Sequence, residues 1–304
     1  MLNKMIAHTL PLLPKELIWY FSKTYIAGET VDAAIRVSKE LNNKGASVTV
    51  DLLGEFIDDI EMAAMYLEAY LELIDQFAAS PAQGNYSLKP TMFGLLIDPE
   101  KCYAAVRKIL QAAAARDSFV RIDMEDSRCV DLEIELFIKL KEEFPTNVGL
   151  VLQAYLKRTQ KDLEKLKRSH IADEAPLNFR LCKGIYVEPP EIAFQNMPAI
   201  NRAFIENLDF MLRNGIYVGI ATHDRKLIEQ AEHLISHYGA TKDQYEFQML
   251  YGVTPRLRQR LITSGHKMRV YVPFGKSWFG YATRRLKENP TLVRHLLRAL
   301  LIKG

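Results

Sequence analysis

The chain has 304 residues, 48% of them hydrophobic and 25% charged, with a formal net charge of +3 and a pI near 8.6. That is enough apolar material for a large core, and the basicity is too mild to point to nucleic acid as a partner. Three scattered cysteines, Cys102, Cys129 and Cys182, form no CxxC or Cys/His cluster, so reduced thiols, a cytoplasmic setting and no metal centre are expected. Two prolines interrupt the N-terminal "MLNKMIAHTLPLLPKEL", and no small-residue cleavage site follows, which argues against a signal peptide. No run is long and apolar enough to span a bilayer, so any membrane contact is expected to be peripheral.

In chain order, residues 13–44 read as helices. Residues 46–55, "ASVTVDLLGE", then read as a strand, and residues 61–79 carry apolar positions at helical spacing. The alternation continues with strands at 86–94, 118–126, 147–156, 178–189, 217–224, 245–253 and 267–275, each followed by a helical pattern. Strands alternating with helices imply parallel pairing through crossover helices. Eight such units in about 250 residues fit a (β/α)₈ barrel of the α/β class. The expected organisation is a helical segment at 1–45 and a barrel at 46–304, within one domain. An open doubly wound sheet is the alternative, disfavoured by the lack of a GxGxxG fingerprint.

Catalytic groups of a barrel collect at the C-terminal ends of its strands. Here those ends are polar: Lys89, then Asp123 and Glu125, Gln153, Arg180 with Lys183 and Gly184, then Thr222, His223 and Asp224, Gln248 and Tyr271. Period-two alternation puts Asp123 and Glu125 on one face with Arg121. Singly, each has a structural reading: Asp123 paired with Arg121, Arg180 bridging barrel layers, His223 as a satisfied core histidine. Together they point to a site. Gly184 allows a planar ligand close approach, and "ATHD" opens a helix whose N-terminus suits phosphate.

The last helix raises a separate choice. Ser277 is a candidate cap and Pro290 a stop. Tyr281, Arg284, Arg285 and Glu288 recur at helical spacing and share one broad face. They suit either a solvated face with an Arg284–Glu288 pair or a fork for one carboxylate beside an aromatic wall.

"YVPFGKSWFGYATRRLKEN" resembles the C-terminal signature of proline dehydrogenases. "KPT", "RIDMEDS", "LQAYLKRT", "RLCKGIYVEP", "ATHD" and "EFQMLYGV" resemble that family's other blocks, in order, across residues 48–289. The resemblance is to the monofunctional bacterial type, without an aldehyde dehydrogenase domain. It implies an FAD-dependent barrel that oxidises L-proline to Δ1-pyrroline-5-carboxylate by hydride transfer from C5 to flavin N5. Electrons then pass to a quinone at a membrane. By the same resemblance, Lys89, Arg284 and Arg285 hold the substrate carboxylate, while Tyr281, Leu250 and Tyr271 shape the pocket. Glu288 keeps the last helix docked. Asp123 supports Tyr271, and Arg180 lies by the flavin. Met124, Gln153, Lys183, Gly184, Ile185, Thr222 and His223 complete the FAD site. Tyr281 favours unsubstituted proline over hydroxyproline. The competing expectations are a flavoenzyme for another cyclic amino acid, and a non-catalytic barrel binding a membrane or an acidic partner.

Overall fold

The computed structural model describes residues 18, 19, 22–169 and 175–288, with residues 284–288 described by backbone alone. Helix α1 (Val31–Asn42) precedes β1 (Ser47–Leu52), α2 (Met62–Ala78), β2 (Asn85–Leu88), α3 (Pro99–Ala114), β3 (Val120–Ile122) and α4 (Val130–Glu143). Then follow β4 (Val148–Gln153), α5 (Thr159–Ser169), β5 (Asn178–Cys182), α6 (Met197–Arg213), β6 (Tyr217–Ala221) and α7 (Arg225–Tyr238). The order ends with β7 (Tyr245–Leu250), α8 (Pro255–Thr263), β8 (Met268–Phe274) and α9 (Trp278–Glu288). The strands close in sequence order into a barrel. Neighbours pair in parallel, and β8 returns to β1 with Ser47 opposite Arg269 and Leu52 opposite Phe274. Closure excludes the open doubly wound sheet.

Local chemistry sets the boundaries. Thr30, Asp98, Asn196 and Asp224 cap α1, α3, α6 and α7 by accepting backbone N–H bonds. Pro99 and Pro198 stand in the first turns of α3 and α6, where a missing N–H costs nothing. The N-terminal helical stretch is broken before Val31. There Ala27 N–H donates to Pro273 O and Gly275 N–H donates to Gly28 O, tying the chain to the end of β8. Ala34, Val37 and Leu41 of α1 join the same apolar cluster as the barrel strands.

The strands are shorter than the sequence pattern implies. The stretch at 86–94 stops being a strand at Leu88, because Pro90 has no N–H for a ladder. Lys89 instead precedes a 3₁₀ turn, Pro90–Phe93, closed by Gly94 at φ 80°. Likewise β3 ends at Ile122, so alternation no longer governs Glu125. Glu125 turns away from the barrel axis, accepting from Thr91 N and Oγ1 at 3.0 and 2.5 Å.

The barrel interior is polar. Arg121 donates to Asn178 O at 2.7 Å. Glu246 accepts from Arg269 Nε at 2.6 Å and from Gln248 Nε2 at 2.7 Å. Inward glycines make room for these long side chains: a Cβ on Gly149 would lie 2.3 Å from Arg121 Nη1 and 2.5 Å from Asn178 O. Gly149→Ala therefore forces β4 against β5. The expected loss is about 1–3 kcal/mol of stability, read as a lower urea midpoint. An unchanged midpoint would show that the interior has slack.

Candidate active site

At the C-terminal mouth one carboxylate gathers groups from three strands and the turn after β2. Asp123, just past β3, accepts from Ser87 Oγ of β2 at 2.6 Å and from Arg180 Nη1 of β5 at 2.8 Å. Tyr271 Oη of β8 donates to it at 2.8 Å, and Lys89 Nζ lies 3.4 Å away. The bonds from Arg180 and Tyr271 cross the barrel, while Ser87 and Lys89 reach Asp123 from the neighbouring β2 side, so all five side chains converge on the mouth. Burial alone pushes the Asp123 carboxyl up, but Lys89, Arg180, Ser87 and Tyr271 outweigh it and hold its pKa below the usual value. Arg121 is not its partner. The structural pairing read from the sequence is replaced by Arg180.

Arg180 does bridge layers. Its Nε donates to Gln248 Oε1 at 2.6 Å, and Gln248 in turn reaches Glu246. Its guanidinium also lies 5.1 Å from the centroid of the Tyr271 ring. The arginine is thereby fixed in plane and position before any ligand arrives.

Lys89 is held by a residue absent from the candidate set. Asp51, in β1 and 0% exposed, takes Lys89 Nζ at 3.2 and 3.3 Å on its two oxygens. Burial raises the Asp51 pKa to about 6, against the pull of Lys89. The signal for Asp51 was a single charge in the otherwise apolar strand "SVTVDL". Ser87 was also missed, since serine in a strand is unremarkable.

Tyr281 of α9 is buried and lines a cavity of about 180 Å³ with Lys89, Leu53, Glu55 and Tyr66. The predicted aromatic wall and predicted carboxylate-binding lysine therefore share one space. The side chains of Arg284, Arg285 and Glu288 lie outside the described residues, while their backbone continues α9.

The remaining candidates ring the other side of the mouth. Met124 and Gln153 are buried, and Gln153 Nε2 donates to Glu125 O at 2.8 Å. Lys183 Nζ pairs with Asp224 Oδ2 at 2.9 Å. Thr222 Oγ1 accepts from Asp224 N at 3.1 Å, and His223 Nε2 accepts from Leu250 N at 2.9 Å. Ile185 and Val187 stand 47% and 102% exposed beside Lys183. Gly184, at φ 107°, is demanded by packing: a Cβ there would strike the Tyr155 ring at 2.0 Å. Its open side is taken by that ring.

Asp123→Asn leaves Arg180 buried, with side-chain exposure of 8%, and without its carboxylate. The expected cost is about 3–5 kcal/mol of stability, measured by denaturant titration at neutral pH. A loss below about 1 kcal/mol would show that the pair is solvated.

Comparison with known proteins bears on the family and the fold. A sequence model of the family described as proline dehydrogenase matches residues 34–296. Proline dehydrogenase 2 of Bacillus subtilis (strain 168) is 36% identical over 275 residues, covering 90% of this chain and 88% of that protein. The proline dehydrogenase of Deinococcus radiodurans is 31% identical over 293 residues, covering 95% and 93%. The crystal structure of proline utilization A from Bdellovibrio bacteriovorus inactivated by N-propargylglycine superposes with a TM-score of 0.81 at 25% identity. It covers 89% of this chain, which spans 33% of that longer one. The family model and these relatives cover most of the chain, and the chain belongs to the proline dehydrogenase family.

Proposed function

We propose that this barrel oxidises L-proline to Δ1-pyrroline-5-carboxylate with FAD as its resident cofactor and a quinone as the electron acceptor. The observation that carries the reading is the cavity shared by Lys89 and Tyr281, next to the Asp123–Arg180–Tyr271 cluster. It offers a cation and a flat wall to a small ring that bears a carboxylate.

The opposite rim fits FAD. Lys183 supplies a cation for a diphosphate, and Ile185 and Val187 are apolar side chains left exposed beside it. That pairing suits a group with one anionic part and one flat apolar part. FAD, when bound, supplies the two-electron acceptor that takes a hydride from C5 of the substrate at N5. Arg180 and Gln153 would lie along the flavin, with Met124, Gly184, Ile185, Thr222 and His223 around it.

The substrate side is built by the chain itself. Lys89, Arg284 and Arg285 would hold the carboxylate. Helical spacing from Tyr281 gives residues 284, 285 and 288 the same broad face of α9. Tyr281 would pack on the ring, with Leu250 and Tyr271 closing the pocket. Glu288 would orient the two guanidiniums. Asp123 fixes Tyr271 and Arg180, so the pocket is arranged before substrate enters. The acceptor and the peripheral membrane contact rest on the family resemblance, and the cytoplasmic setting on the three scattered cysteines. No described helix is long and apolar enough to cross a membrane.

Purified protein is expected to be yellow, to bleach with L-proline and to reduce a dye acceptor. A colourless protein that cannot be reconstituted with FAD would reject the reading. Arg284→Ala or Arg285→Ala should raise the KM for proline by the equivalent of about 2–5 kcal/mol while flavin stays bound. Tyr281→Ser should shift the kcat/KM ratio toward hydroxyproline over proline; no shift would remove Tyr281 from substrate choice.

A further inference from the structure

Lys89 has three N–H bonds to give. Its Nζ lies 3.2 and 3.3 Å from the two Asp51 oxygens, 3.4 Å from Asp123 Oδ2 and 3.4 Å from Tyr271 Oη. Among the described residues every donor of the ammonium is thus engaged. A substrate carboxylate can gain Lys89 only if one of these three partners gives it up.

The two aspartates differ in what that loss leaves behind. Asp123 without Lys89 keeps Arg180 at 2.8 Å, Ser87 at 2.6 Å and Tyr271 at 2.8 Å. Asp51 is 0% exposed, and among the described residues Lys89 is the cation set against it. An ionised carboxylate buried without its cation is unfavourable, and neutralisation is the cheaper state. We propose that Asp51 is a positioning residue that withholds Lys89 from the substrate carboxylate until Asp51 takes up a proton, so that one carboxylate and one proton enter the site together. This inference rests on the reading of Lys89 as a ligand of the proline carboxylate.

Among the groups hydrogen-bonded to Lys89, Asp51 is the one that changes charge near neutral pH; Glu125, pushed up to about 7 by burial, bonds Thr91 instead. Burial pushes up Tyr271 of β8 and Tyr70 of α2, so both stay neutral. Burial works against the Lys89 ammonium, but Asp51, Tyr271 and Asp123 hold its pKa well above the usual value. Asp123 stays ionised between Lys89 and Arg180 of β5. Asp51 is poised at about 6, raised chiefly by burial. A carboxylate brought to Lys89 removes the attraction that opposes this rise, so the Asp51 pKa climbs further on binding.

The test uses FAD-loaded protein and the ring-oxygen analogue of proline, which keeps the carboxylate and lacks the amine. Calorimetry in buffers of different ionisation enthalpy reads the protons taken up. The wild type is expected to take up close to one proton per site. Its affinity should fall by up to about tenfold per pH unit above an Asp51 pKa of about 6. Asp51→Asn should bind with no uptake and no pH dependence, and about tenfold or more tighter than wild type at mildly alkaline pH. A merely structural role predicts weaker binding instead. Difference infrared spectra of the wild type provide a reading that needs no variant: binding should produce the C=O stretch of a protonated carboxylic acid. Binding without uptake, without that band, or weakened by Asp51→Asn would overturn the inference. If L-proline is oxidised normally, only the role of Asp51 falls. If the analogue does not bind and L-proline is not oxidised, the parent reading falls with it.

Discussion

The interaction on which the mouth depends is the buried pair of Asp123 and Arg180. A closed parallel barrel turns every second side chain of each strand toward a single axis. Charges placed there cannot be left alone. Asp123 answers with ligands from β2, β5, β8 and the Lys89 turn, which ties β3 to β5 and β8, strands with which it shares no ladder. The same bonds that satisfy the carboxylate also fix the orientations of Arg180 and Tyr271. Stability and preorganisation of the site are therefore one set of contacts.

Deeper in the barrel the charges have another role. Arg121 donates to main-chain and side-chain oxygens of Asn178 and stacks 4.8 Å from the Phe119 centroid. Arg269 pairs with Glu246, whose pKa lies below its usual value because Arg269 overcomes the effect of burial. These groups seal the axis beneath the mouth. Gln248 joins the two levels, accepting from Arg180 and donating to Glu246. Arg180 is therefore gripped from above and below, which restricts it to one plane.

The alternation of strands and helices, and the polarity of the strand ends, made the barrel and its working face legible from the sequence. Strand length was not legible. β-rich composition runs on through "KPTMFG" and "IDMED", but Pro90 and the early end of β3 stop the ladders. That is why Arg121, Asp123 and Glu125, alternate in sequence, take three different surroundings. Pattern also hid Asp51. One aspartate in a short strand reads as noise until its neighbour at the end of β2 is known to be Lys89. Gly184 adds a packing reason to the freedom read from the sequence: a Cβ there would meet the Tyr155 ring.

Asp224 shows how one side chain changes a neighbouring charge. It caps α7 by accepting from Lys226 N–H at 3.0 Å and holds Lys183 Nζ at 2.9 Å. An asparagine at this position would cap the helix equally well. It would not neutralise Lys183. In this chain the lysine is therefore positioned at the rim with its charge already shared, and the α7 N-terminus already carries a carboxylate. An anionic ligand at this rim must draw Lys183 partly away from Asp224. Its binding is then set by the difference between two ion pairs rather than by the strength of one. The same exchange governs Lys89 across the mouth. The site thus meets its ligands with cations that are placed in advance and must be given up by an aspartate.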